Sequence, residues 1–229
     1  MNDLYSFFLQ RRNTRPMHKW HHYFEVYERH FGRFRHTNPA VLEIGVQGGG
    51  SLEMWREYFG EAAHIYGVDS EPTAKRNEDL ATKVYIGDQA DRNFLREVRR
   101  EVGVLDIVID DGGHRSNQQI TSFEELYPTM SANGVYLVED THTALFGGGY
   151  NDRPDGQTIL TFAAARCAQL MEWSGRREHF QQLMTDQNVL LTDRASEFCR
   201  TTKSITFYDS IVVFEKGRHT AKWAPQIGT

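Results

Sequence analysis

Ala40-Val41-Leu42-Glu43-Ile44-Gly45-Val46-Gln47-Gly48-Gly49-Gly50-Ser51 decides the fold. Its first five residues are a short apolar run, its middle is a glycine cluster, and Ser51-Leu52-Glu53-Met54-Trp55 opens a helix with Ser51 as its cap. That is strand, glycine turn, helix. The rhythm repeats at His64–Asp69, at Lys83–Asp88 (followed by a charged helix, Arg92 to Val102), at Leu105–Asp111 (helix Phe123 to Met130) and at Gly134–Asp140. Leu105–Asp111 is nearly unbroken in branched apolar residues, as a strand buried on both faces requires. Upstream, Tyr23, Val26, Tyr27, His30, Phe31 and Phe34 fall at helical spacing, with Gly32 inside the pattern. Downstream, Ile159 to Met171 reads as a helix, Gln181 to Leu191 as a weaker one, and Ser204–Phe207 and Ile211–Phe214 as two strands joined by a short turn. The expected architecture is α/β: a Rossmann-like doubly wound sheet of five parallel strands plus a C-terminal antiparallel hairpin on one edge. Residues 1–229 are expected to form one domain, with 1–36 an N-terminal helical segment and about 147–195 a helical lid or insertion; Gly147-Gly148-Gly149 reads as its hinge or, equally, as a disordered loop.

Composition narrows the function. The 229 residues carry 26 Lys plus Arg against 31 Asp plus Glu, a net charge of -5, and no basic stripe, so a nucleic-acid partner is not expected. No apolar run reaches about 18 residues, so no membrane span is expected. The start lacks signal-peptide organisation, and the two cysteines, Cys167 and Cys199, make neither a disulfide framework nor a zinc site. A cytoplasmic location follows as the simple expectation.

Ligands of an open parallel sheet bind beyond the carboxyl ends of its strands. Acidic residues stand at all five such ends: Glu43, Asp69, Asp88, Asp110-Asp111 and Glu139-Asp140. The first glycine turn does not have the spacing of a dinucleotide site, and Glu43 would face a phosphate unfavourably. A carboxylate there suits an amine-bearing ligand. Asp69, at the end of the second strand, can accept both hydroxyls of a ribose, and Asp88-Gln89 can take the exocyclic amine of an adenine. Together they describe a site for an adenosine without phosphates that carries an amino acid. The second constellation, Asp110-Asp111-Gly112-Gly113-His114 with Glu139-Asp140, sits on strands expected to be neighbours about 4.8 Å apart. Crowded carboxylates repel unless a cation joins them, and an all-oxygen set favours Mg²⁺, with Mn²⁺ as the alternative, over zinc. His114 is placed to take a proton from a hydroxyl held at that cation.

Glu-x-Gly, a ribose Asp and then Gly-Asp-Gln resemble the class I S-adenosylmethionine-dependent methyltransferases. More narrowly, VLEIGVQGGGSLEMW, YGVDSEP, GDQAD, VIDDGGH and YLVEDTHTALFGGG are similar to the metal-dependent sugar O-methyltransferases of macrolide and related natural-product biosynthesis, from about His18 to about Phe214. The resemblance implies S-adenosyl-L-methionine and Mg²⁺ as cofactors and a small glycoside as acceptor. It assigns Glu43, Gly45, Ser51, Asp69, Asp88, Gln89 and Asp110 to the cofactor, Asp111, Glu139 and Asp140 to the metal, and His114 to general-base catalysis. It also implies a homo-oligomer, and a region around Lys19 to Tyr23 that closes over the amino-acid end of the cofactor; an aromatic-rich helix start is the alternative reading there. Gln47 stands where the general class has a glycine, and Ala144-Leu145 stand where a serine-aromatic pair is usual. An NAD(P)-dependent oxidoreductase and a non-catalytic S-adenosylmethionine-binding protein are the rival readings, with a metal-dependent hydrolase behind them.

Overall fold

A computed structural model describes residues 3–10, 15–174 and 195–218. Seven strands form one mixed sheet: β1 (Ala40–Ile44), β2 (His64–Asp69), β3 (Lys83–Ile86), β4 (Ile107–Asp110), β5 (Val135–Val138), β6 (Thr202–Tyr208) and β7 (Ile211–Lys216). Their order is β3-β2-β1-β4-β5-β7-β6. The first five run parallel, and β7 lies antiparallel between β5 and β6, so the expected hairpin is present at one edge, beside β5. Strand order reverses between β1 and β4, which makes the carboxyl ends of those two strands the topological switch point.

The central strands are apolar on both sides because both faces are covered. Alternate residues divide between two cores: Val41, Ile107, Ile109, Val135 and Leu137 enter one, and Leu42, Ile44, Val108, Tyr136 and Val138 enter the other. The first core is closed by α2 (Tyr23–Phe31) and α3 (Gly50–Phe59), where Tyr27 and Phe31 set their rings edge-on to Trp55 at 5.2 and 5.7 Å. A further helix, α1 (Asp3–Gln10), packs on these two. The second core is closed by α4 (Arg92–Val102), α5 (Ser116–Leu126) and α6 (Ile159–Gln169). Helix α4 has the bounds its sequence predicts. Leu95, Val98 and Val102 form its buried stripe, and the Asp91 carboxylate accepts the amides of Asn93 and Phe94 at its start. A short helix, α7 (Glu197–Thr201), leads into β6.

Three expectations shift. Gly49, at φ +85°, is the cap of α3, and Ser51 lies inside the helix with its hydroxyl turned to Glu43. The helix expected at Phe123 to Met130 begins at Ser116 and ends at Leu126, with a tighter turn over Tyr127–Thr129. Gly32 starts a short turn after α2 rather than continuing it. The helix expected at Gln181 to Leu191, and most of the second half of the segment 147–195, lie outside the described residues. Among the described residues no helix is long and apolar enough to cross a membrane.

Candidate active site

The loop after β1 and the loop after β4 meet at the switch point. Gly45 (φ +93°) lies so close to the second loop that a Cβ there would stand 2.0 Å from the Asp111 carbonyl oxygen. Asp69 organises the first loop: Oδ2 accepts the amides of Val46 and Gln47 at 2.9 and 2.8 Å, and Oδ1 accepts that of Glu71 at 2.8 Å. Those bonds hold Gln47 at φ +44°, which explains how a glutamine is tolerated where the general class carries glycine. Gln89 organises the second loop. Its amide donates to Asp110 Oδ1 at 3.0 Å and Ser122 Oγ at 3.2 Å, and its carbonyl accepts the Gly113 amide at 2.9 Å. Between the loops lies a cavity of about 230 Å³, lined by Gly45, Asp69, Asp88, Gln89, Asp111 and Gly112 among others.

The other residues expected to touch a cofactor stand behind this cavity. Glu43 is fully buried, accepting the Ser51 hydroxyl at 2.6 Å and the Trp55 indole N–H at 3.2 Å. Burial pushes its carboxyl up to about 7, against the opposing pull of Lys19 and Ser51. Asp110 is also fully buried, against Gln89 and the Tyr136 hydroxyl, and burial raises it to about 6. Neither they nor Ser51 reach the cavity wall.

At the ends of β4 and β5 a cation is already present. The Lys19 ammonium, buried, donates to Asp111 Oδ2 at 2.6 Å and to both oxygens of Glu139 at 2.9 and 3.0 Å, and lies 3.8 Å from Glu43. Tyr27 adds a hydroxyl to Glu139 at 2.7 Å. Burial works against the charge on Lys19, but Asp111, Glu139 and Glu43 overcome it and hold the ammonium protonated. One ammonium does not balance three carboxylates. Burial first, and the Asp111 charge second, therefore drive Glu139 well above the usual carboxylate range.

Asp111, His114 and Asp140 each offer a ligand atom, all within 4.8 Å of one another, and all three are partly exposed. Glu139 is outside that group, its carboxylate turned inward to Lys19 and Tyr27; this differs from the expected Asp111–Glu139–Asp140 set because the sequence reading did not bring a lysine to the same point. Asp140 accepts the Tyr23 hydroxyl at 2.5 Å and sits 3.6 Å from His114 Nε2. The His114 carbonyl accepts the Thr143 hydroxyl at 2.9 Å, and its Nδ1 is buried without a hydrogen-bond partner among the described residues. Gln47, His114 and Asp140 are three of the six non-glycine residues at positive φ among the described residues, so backbone strain gathers at this rim. Asp111 and Asp140 offer partly open carboxylate oxygens, the ligand type a hard divalent cation prefers, with the His114 imidazole beside them.

Lys19, Tyr23, Tyr27 and Thr143 carry weight here that sequence reasoning did not assign. The stretch Lys19 to Tyr23 does come to the site, but through Lys19 and Tyr23. His21 is exposed, and the His22 ring nitrogen meets the Asp209 backbone carbonyl at 3.3 Å.

No protein-family profile matches the chain. It is 34% identical over 216 residues to the 8-demethyl-8-(2-methoxy-alpha-L-rhamnosyl)-tetracenomycin-C 3'-O-methyltransferase of Streptomyces olivaceus, covering 90% of this chain and 52% of the relative. It is 33% identical over 220 residues to the mycinamicin VI 2''-O-methyltransferase of Micromonospora griseorubida, covering 92% of this chain and 52% of the relative. The chain thus spans about half the length of these curated relatives. Among solved structures, the MycE methyltransferase of the mycinamycin pathway, in complex with Mg, SAH and mycinamycin VI, superposes with a TM-score of 0.71 at 29% identity, over 98% of this chain and 55% of that one. The fold is that of the class I methyltransferases, and the chain resembles their sugar-modifying members from end to end of its described sheet.

Proposed function

We propose that this relative of the sugar O-methyltransferases transfers the methyl group of S-adenosylmethionine to a sugar hydroxyl of a glycosylated natural product, with Mg²⁺ as metal cofactor. The observation that carries the reading is that one residue belongs to both halves of the rim. Asp111 lines the cavity between the β1 and β4 loops and also belongs to the cluster with His114 and Asp140. A donor in the first and a hydroxyl at the second would meet there, and alignment of that kind supplies a large part of methyl-transfer catalysis.

In this reading Asp69 keeps a lone pair of Oδ1 for a ribose hydroxyl while its other bonds hold the loop. Asp88, exposed at the end of β3, faces the adenine end of the cavity. Gly45 gives the donor close access to the backbone. Glu43, Ser51 and Asp110 position these loops from behind, and Gln89 does so from the cavity wall. Asp111 and Asp140 would hold the metal, with Glu139 buried beside them against Lys19 and Tyr27. The cation, when bound, orients the acceptor hydroxyl and lowers its pKa. The sugar oxygen then takes the methyl, the sulfur leaves as S-adenosylhomocysteine, and His114 accepts the hydroxyl proton. Asp140, 3.6 Å from Nε2, stabilises the imidazolium that results.

The named relatives are O-methyltransferases, which weighs against the oxidoreductase reading. A cytoplasmic setting belongs to the same proposal and is supported by two unpaired thiols, Cys167 and Cys199. The homo-oligomer implied by resemblance is read by sedimentation. The decisive experiment is calorimetry with S-adenosylhomocysteine, followed by labelled-methyl transfer to a rhamnosylated acceptor with EDTA and with restored Mg²⁺. Binding, loss of turnover in chelator and its return are expected. Full turnover in EDTA would remove the metal, and no binding would remove the donor.

A further inference from the structure

Six rings form a continuous chain that starts at the Asp111–His114–Asp140 cluster. Tyr23, bonded to Asp140, lies 4.8 Å from His22 between ring centroids; His22 lies 6.2 Å from Trp20, Trp20 6.3 Å from His142, His142 5.4 Å from Phe146, and Phe146 5.7 Å from Tyr150. The row begins buried and ends in solvent: Trp20 is 48% exposed and Phe146 65%. Of the large apolar side chains exposed among the described residues, half (Trp20, Leu145, Phe146 and Tyr150) belong to this one stretch of surface. Scattered exposed apolar groups need no explanation, whereas a contiguous row beside a polar cluster marks a binding surface. His142 keeps a buried Nδ1 without a hydrogen-bond partner, so the row also holds an unused polar atom between its two most exposed rings.

We infer that this row is the platform for the acceptor, with Trp20 and His142 under the sugar and Phe146 and Tyr150 under its apolar aglycone. The inference rests on the glycoside reading above. Trp20 meets His142, and Phe146 meets Tyr150, edge to face, while Trp20, Phe146 and Tyr150 stay exposed, and exposed aromatic carbon suits the C–H face of a deoxysugar or a flat polyketide better than it suits water. The row is anchored at Asp140 through Tyr23, so a glycoside lying along it brings its sugar, not its aglycone, to the cluster.

The test is calorimetric titration of wild type, Trp20→Ala and Phe146→Ala with 8-demethyl-8-α-L-rhamnosyl tetracenomycin-C, and separately with S-adenosylhomocysteine. Each substitution is expected to weaken the glycoside about tenfold or more, and Phe146→Ala is expected to leave S-adenosylhomocysteine unchanged. Trp20→Phe should recover most of the loss. Equal glycoside affinity in all forms, or none in wild type, overturns the platform even if S-adenosylhomocysteine binds. Glycoside binding that depends on the two rings, with no binding of S-adenosylhomocysteine, upholds the platform and removes the methyl donor instead. Variants that change the sedimentation coefficient while the glycoside still binds as in wild type would give the row to a second copy of the chain and overturn the proposal.

Discussion

At the ends of β1 and β2, Glu43 and Asp69 have both oxygens engaged by the protein's own donors, and Glu43 sees no solvent. At the ends of β4 and β5, Asp111, His114 and Asp140 keep side chains that are 21 to 23% exposed. The same residue type at equivalent strand ends therefore does two jobs. Glu43, enclosed by hydroxyl and indole donors, only supports the rim; Asp69 shapes a loop and still lines the cavity; and a carboxylate left partly open is available to a ligand. Lys19 stands between the two sets and neutralises part of each.

The strongest challenge to that contrast is Lys19→Met, which leaves three buried or half-buried acids without their shared cation. Urea unfolding should show a loss of about 3–5 kcal/mol, partly restored by millimolar Mg²⁺. Unchanged stability would mean that the ammonium contributes nothing to either set. Next is the pH dependence of Glu43. Its native carboxyl, raised to about 7 from an ordinary 4.5, binds a proton more tightly than the unfolded chain does. Stability from this group should therefore fall as pH rises from about 4.5 to 7 and stay flat above, by up to about 3 kcal/mol. Glu43→Gln should lose that slope, and an identical slope in both proteins would place the titration elsewhere. On the open side, His114→Ala should lower kcat by about 10²-fold or more with Mg²⁺ and S-adenosylhomocysteine affinities intact; weakened Mg²⁺ binding would make it a ligand rather than the base. Asp69→Ala should cost about 2 kcal/mol, since three amides lose their acceptor, and should speed hydrogen exchange at Val46 and Gln47. Weaker cofactor binding without faster exchange would give Asp69 a direct contact only.

The sheet was legible because its signals are local. Ala40–Ile44 and His64–Asp69 are bounded by glycine or turn residues and fill with apolar side chains, and α4 carries its own cap and stripe. Helix α5 was not legible over its first two turns. Its inward face there is polar: Gln119 donates to the Glu139 carbonyl, and Ser122 bonds Gln89, so the helix supports the rim instead of displaying an apolar stripe. The convergence of acids was visible in the order of motifs, but the lysine among them was not. Lys19 meets Asp111 across 92 residues and Glu139 across 120, and no spacing rule reaches that far. Nor could the pattern tell which acids face inward, since that depends on partners such as Ser51, Trp55 and Tyr27 supplied by helices on one face of the sheet.

The near-contact of Gly45 with the Asp111 carbonyl has a thermodynamic corollary. Two loops with no clearance between them cannot settle independently, so whatever fixes one lowers the entropy left for the other to lose. Occupancy on either flank should then raise affinity on its neighbour by an equal factor, as reciprocity demands, and a methyl group added at position 45 would force the flanks apart and uncouple them.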